Sequence, residues 1–117
     1  MESRNIMEMM VHLHPDIFKI VKSGTKDIEV RLNDEKRRNL HVGDTLIFLK
    51  RPHDDEKITK TVKALEYFPN FETLARHYEM KRIYLEGCPI EQYLKEMERF
   101  YTKEDQEKYG VVAILFA

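Results

Sequence analysis

The sequence predicts a mixed α+β domain of about five strands with helices inserted between them, and three observations carry that prediction. Val111 to Phe116 is uniformly apolar, the pattern of a strand buried on both faces. Asp27 to Leu32 alternates charged and apolar residues, the period of two that puts successive side chains on opposite faces of a strand. Between these segments, Phe71, Leu74, Ala75 and Tyr78, and then Ile90, Tyr93, Leu94, Met97 and Tyr101, fall at helical spacing.

The elements follow in order. Met9 to Leu13 is rich in apolar and β-branched residues and reads as a first strand, with Ile6 and Met7 leading into it. His14-Pro15 ends it, and Pro15 suits the first turn of a helix over Asp16 to Lys22. Ser23-Gly24 closes that helix, glycine being the usual left-handed residue after a helix end. The strand Asp27 to Leu32 follows. Ile28, Val30 and Leu32 point one way, and Asp27, Glu29 and Arg31 the other. Asn33 and Asp34 suit the cap of a short turn over Glu35 to Arg38. After the turn His41-Val-Gly-Asp44, Thr45 to Lys50 is a strong strand, and beyond a polar loop Lys57 to Tyr67 is a long strand that bends or bulges. Pro69-Asn70 caps the helix that begins near Phe71. Gly87-Cys-Pro89 separates it from the next, and Thr102 with Asp105 resembles a capping pattern for a last short helix. A chain that starts and finishes in strands can close a small barrel by pairing them.

Composition narrows the function. With 117 residues the chain has room for one core. No apolar segment approaches the roughly 20 residues of a membrane span, and no basic region followed by an apolar stretch marks a secretory signal. Cys88 is the sole cysteine, which excludes an internal disulfide and fits a reducing cytoplasm. The net charge of -1 argues against bulk binding of a polyanion. Its distribution is uneven: residues 19–38 hold seven cations against four acids, and residues 86–108 four cations against seven acids. The basic lobe therefore surrounds the segment Gly24 to Arg31.

That segment, Gly24-Thr-Lys26-Asp-Ile-Glu29-Val-Arg31, sets a glycine turn against a strand carrying Lys, Glu and Arg. Such a density of mixed charge reads as the wall of a binding cleft. Arg31 offers a planar donor fork to a phosphate, a carboxylate or a base edge. Glu29 can accept from an exocyclic amine, as in the reading of cytosine. Lys26 can reach a phosphate as a mobile point charge, and Gly24 allows close backbone approach. Glu29 and Arg31 can equally pair with each other across two positions of the strand. In a catalytic version of the site, a partly buried Lys26 would have a lowered pKa and Glu29 would act as a general base on water.

The order of these parts resembles the ASCH domain family of the PUA-like superfamily. Phe18 and Lys22 precede the turn, Gly24, Lys26, Glu29 and Arg31 form the Gly-x-Lys-x-x-Glu-x-Arg motif, and Val42-Gly43-Asp44 leads into the Ile47-Phe48 strand. Tyr109-Gly110 approaches the last strand. The resemblance implies a small PUA-like mixed β-barrel of about five to six strands with peripheral helices and a cleft beside the motif. It implies binding of RNA or of modified nucleosides, and some members are enzymes. One branch removes the acyl group of 4-acetylcytidine with a Lys at the position of Lys26, a Thr nucleophile at that of Glu29, and a Glu on the following helix, here Glu72 or Glu79. This chain departs from that branch at Glu29, whose carboxylate has no hydroxyl to attack an amide.

Other residues border these readings. His12 and His14 alternate on the first strand; without a third ligand at suitable spacing they predict no metal site, and no cofactor is assigned. His14, at the strand end, borders the cleft. Tyr67, Phe68 and Tyr109 can stack on a base or fill the core. Met7, Met9 and Met10 pack the core or a partner surface. The expected function is recognition of RNA or a nucleotide-like ligand by Gly24, Lys26, Glu29, Arg31, His14 and Tyr109. Hydrolysis of a modified nucleoside or RNA is the alternative, and a protein-interaction module acting through the acidic helix Ile90 to Tyr101 is the third.

Overall fold

The computed structural model describes residues 5–117. Strand β1 (Glu8–Leu13) is followed by α1 (Pro15–Lys22), β2 (Ile28–Leu32), α2 (Glu35–Arg38), β3 (Thr45–Lys50) and β4 (Lys57–Phe68). Helices α3 (Phe71–His77), α4 (Met80–Ile83), α5 (Ile90–Glu98) and α6 (Lys103–Tyr109) then precede β5 (Val111–Phe116). The strands form one mixed sheet in the order β1-β3-β4-β5-β2, curved into a half-barrel. Among the described residues, only β1 and β3 run parallel. The expected closure through pairing of the first and last strands does not occur. Strand β5 is taken on one side by β4 and on the other by β2, so the free edges belong to β1 and β2. The long β4 is irregular between Val62 and Ala64, where its register on β5 shifts, as expected of a strand that serves two neighbours.

Local signals place the helices. His14 caps α1, its ring accepting from the Asp16 amide, which removes it from the β1 alternation predicted for it and puts it one residue past the strand. Asp34 caps α2 through the Arg37 amide, Asn70 caps α3 through the Thr73 amide, and Thr102 and Asp105 form a reciprocal capping box on α6. Helix α3 ends at His77 with Tyr78 extended, and α4 follows at once, a break that the spacing of Phe71, Leu74, Ala75 and Tyr78 does not reveal.

Two apolar layers sandwich the sheet. Met9, Val11 and Leu13 of β1, Phe18 and Val21 of α1, Phe48 of β3 and Val112 and Ile114 of β5 fill the inside of the half-barrel. Ile28, Val30 and Leu32 of β2 face the opposite layer, with Phe71 and Leu74 of α3, Ile83 of α4 and Tyr93 of α5. Of the three methionines expected to cluster, Met9 is buried, Met7 half-buried and Met10 exposed. Directly paired residues of antiparallel strands share a face. Glu29 pairs with Ile114 and Arg31 with Val112, so their side chains turn toward the interior of the half-barrel and not toward open solvent.

Candidate functional site

The missing barrel seam leaves room beside those charges. A cleft of about 610 Å³ opens between the end of β1, the start of α1, the inner face of β2 and the segment from α4 to α5. His12, His14 and Asp16 lie on one side and Glu29 and Arg31 on the other. Tyr84, Tyr93, Glu96, Phe100 and Tyr101 complete the wall.

Lys26 is set by the turn that ends α1. Gly24 has φ +86°, in the left-handed region that favours glycine, and the Lys26 amide then donates to the Ile20 carbonyl. The Asp27 amide donates to Arg82 O, and the Arg82 guanidinium returns to the Asp27 carboxylate at 2.9 Å. Pinned at both ends, the backbone carries the Lys26 side chain inward until only 3% of the residue is exposed. Its ammonium donates to Ile28 O, to Ile83 O at 2.9 Å, and to Glu29 Oε1 at 3.2 Å. Those three acceptors use all three of its hydrogens. Lys26 is a fixed buried charge, contrary to the mobile reach toward phosphate expected from its place after a glycine.

Glu29, 5% exposed, sits between two cations. Its Oε1 takes Lys26, and its Oε2 accepts from Arg31 Nε at 3.0 Å and Nη2 at 2.7 Å. Burial alone would push its carboxyl pKa up; Arg31 and then Lys26, by charge and by hydrogen bond, outweigh that and hold it below the usual carboxylate range. Burial pulls Lys26 below the usual lysine value, with Glu29 offsetting part of the pull. Arg31 is pushed up by the Glu29 charge against the effect of its own burial, and Tyr101 adds to the upward push. The three acceptors around Lys26 Nζ call for an ammonium, and with Glu29 ionised between two cations the triad reads Lys26⁺–Glu29⁻–Arg31⁺, a net charge of about +1.

All three border the cleft, and Arg31, with its side chain 23% exposed, is the most open of them. Two of its five N–H donors are spent on Glu29 and the fork also has the Tyr101 hydroxyl as a hydrogen-bond partner, so only the donors beyond these are left for a ligand. The alternatives for this pair thus coexist, because the ion pair to Glu29 is what orients the guanidinium.

The other expected site residues divide. His14 lies on the cleft wall. Gly24 shapes the turn behind Lys26 but is not part of the wall. Tyr109 lies outside the cleft, at the end of α6, with Arg38 and Lys108 over its ring. Tyr67 is exposed on β4, and Phe68 packs against His77 and Tyr78. Neither Glu72 nor Glu79 reaches the cleft; Glu72 borders a smaller one of about 380 Å³ between α3, α5 and α6. The acid that the following helices bring to the main cleft is Glu96. Sequence reading also missed Tyr84, Tyr93, Phe100 and Tyr101 as wall residues. Their signal is four aromatics over eighteen residues, three of them tyrosines whose hydroxyls need partners. Among the described residues no group of three His, Cys, Asp or Glu side chains could hold a metal ion, and no helix is long and apolar enough to cross a membrane.

The model of the ASCH domain matches residues 11–117, from β1 through the triad to the end of β5. The chain belongs to the ASCH domain family. Among solved structures it is similar to the hypothetical protein PH0355, at 32% identity over 94% of this chain and 97% of that one, with a TM-score of 0.81. A protein of Pyrococcus furiosus, PF0455, is similar at 31% identity over 94% and 96% of the two chains, with a TM-score of 0.75. The ASCH protein of Zymomonas mobilis shares the fold at 15% identity and a TM-score of 0.64, with 94% of this chain aligned to 66% of that one. No curated protein matches the chain.

Proposed function

We propose that this ASCH domain binds RNA or a nucleotide-like ligand by seating one nucleotide unit in the cleft beside Arg31. The observation that carries the reading is the orientation of the Arg31 guanidinium. The buried Glu29 carboxylate holds one edge of it and Tyr101 partners it as well, so a guanidinium with donors to spare is held in place on the wall of a cleft of single-unit size. Tyr84, Phe100 and Tyr101 on the same wall are rings of the kind on which an unpaired base stacks. The wall also holds Asp16 and Glu96, and the chain has a net charge of -1. Both features favour one seated unit over a long electrostatic track. Free Cys88 suits a reducing compartment, and we place the protein in the cytoplasm.

The hydrolase reading draws on one observation, the lowered pKa of a buried Lys26 beside a carboxylate. Its chemistry is hindered by occupancy. All three ammonium hydrogens and both carboxylate oxygens are already engaged, so neither group is free to shuttle a proton.

Calorimetric titration of uridine 5′-monophosphate and of a short single-stranded RNA into the wild type, Arg31→Ala and the distant surface variant Lys57→Ala tests the proposal. A hydrogen bond to a charged group contributes about 1.5–3 kcal/mol. Arg31→Ala should therefore weaken both ligands about 10- to 100-fold, with Lys57→Ala unchanged. Equal affinity in Arg31→Ala would take the cleft out of consideration.

A further inference from the structure

One wall residue of the cleft has no structural reason to be polar. Tyr93, on α5, is 1% exposed, and its hydroxyl has no hydrogen-bond partner among the described residues. Its ring packs with that of Tyr84 at 5.4 Å between centroids and lies among apolar side chains of the outer layer. Phenylalanine would fill the same volume without stranding an O–H, and a stranded buried hydroxyl is costly. Buried polar groups left unpaired ask for a partner outside the chain.

We infer that the Tyr93 hydroxyl donates a hydrogen bond to a ring carbonyl oxygen of the bound nucleobase, and so selects keto-bearing bases over adenine. The inference rests on the nucleotide-binding reading above. Two features fix the sense of the bond. Burial, and the charge of Glu29 after it, push the Tyr93 phenol upward, so it stays an O–H donor at any physiological pH. Its neighbours Tyr84, Ile83 and Met97 carry no charge, and the charge that reaches the phenol most strongly is the anionic Glu29, so a neutral carbonyl suits the position better than a phosphate, whose desolvation is far more expensive. Uracil, cytosine and guanine each carry a ring carbonyl; adenine has none. Arg31 supplies the charged contact elsewhere on the wall, and Tyr93 supplies the discriminating one. The asymmetry is familiar: a site built to hydrogen-bond one group penalises the analogue that lacks it, because its own polar atom is then left unpaired.

The test compares wild type and Tyr93→Phe in titrations with uridine, cytidine, guanosine and adenosine, with ribose 5-phosphate and inorganic phosphate as the arms that report a phosphate partner. Thermal unfolding of both proteins runs beside the titrations. Wild type should bind the three keto nucleosides about tenfold more tightly than adenosine, the value of one buried hydrogen bond. Tyr93→Phe should lose that margin, leave adenosine binding unchanged, and melt no lower than wild type. Equal binding of all four nucleosides by wild type, or a uniform loss for all four in Tyr93→Phe, would overturn the inference while leaving nucleotide binding intact. A loss confined to the phosphate arms would overturn it in favour of an anion site. Failure of wild type to bind any nucleoside or nucleotide would remove the parent reading and the inference together.

Discussion

Replacing Glu29 by Gln tests the arrangement on which the site is built. The change keeps side-chain volume and removes one charge. Lys26, 3% exposed, keeps its two carbonyl acceptors but loses its counter-ion, and Arg31 loses the carboxylate that takes two of its donors. The new amide must also turn its NH₂ toward one of two groups that have only donors to offer. Removing one partner of a buried ion pair costs about 3–5 kcal/mol, a large share of the roughly 5–15 kcal/mol that holds a domain together. At about 4 °C per kcal/mol for a chain of this size, the midpoint should fall by about 12–20 °C. Far-UV circular dichroism during heating and urea titration at pH 7 reads both values, with an unchanged urea slope expected. Lys26→Met in the same background should recover a good part of the loss, since an apolar side chain carries no charge into the core. The pH dependence supplies a sign. The folded-state pKa of Glu29 lies below its ordinary 4.5. Its stabilisation is therefore complete above that value and is lost as pH falls through the lower folded pKa. The penalty of Glu29→Gln should shrink in acid below about pH 4.5. A loss under about 1 kcal/mol at pH 7, well short of the expected range, or a penalty that grows in acid, would refute the buried triad.

Three further outcomes follow from the fold. Gly110 has φ +70°, and a Cβ there would lie 3.2 Å from the Phe68 carbonyl oxygen; Gly110→Ala should cost about 1–3 kcal/mol in chemical denaturation. Thr102→Ala removes half of the capping box on α6 and should cost about 1 kcal/mol, read the same way. Phe18→Ala empties a site 2% exposed inside the half-barrel and should cost about 3–5 kcal/mol; recovery of only marginally folded protein is the expected preparative sign.

Much of the architecture is written locally. The caps at Asp34, Asn70 and Thr102, the proline opening α1 and the apolar run of β5 are each readable from a few neighbouring residues, and each lies where those residues put it. What fails to read through depends on distant pairing. The alternation of β2 sorts its side chains correctly into two faces, but which face meets water depends on what lies beyond it. The polar face turns into the half-barrel because β5 pairs with β2 and not with β1. That one topological fact turns Glu29 into a buried charge and leaves the cleft open. Of the aromatic wall, Tyr93 and Tyr101 are legible in the sequence as part of an apolar stripe, and Tyr84 and Phe100 are not. The chemistry of that wall is hidden, since helical spacing does not distinguish a tyrosine whose hydroxyl is satisfied from one whose hydroxyl is not.

The central claim, that the cleft beside Arg31 seats a nucleotide unit, is tested most directly by a heteronuclear NMR titration of the labelled protein with uridine 5′-monophosphate. Amide shifts should concentrate at Lys26, at Glu29 and Arg31 on β2 and at Tyr93 and Tyr101 across the cleft, reach saturation as a single site, and need about 10- to 100-fold more ligand in Arg31→Ala. Shifts that saturate elsewhere on the domain, or none at millimolar ligand in a folded protein, would contradict it.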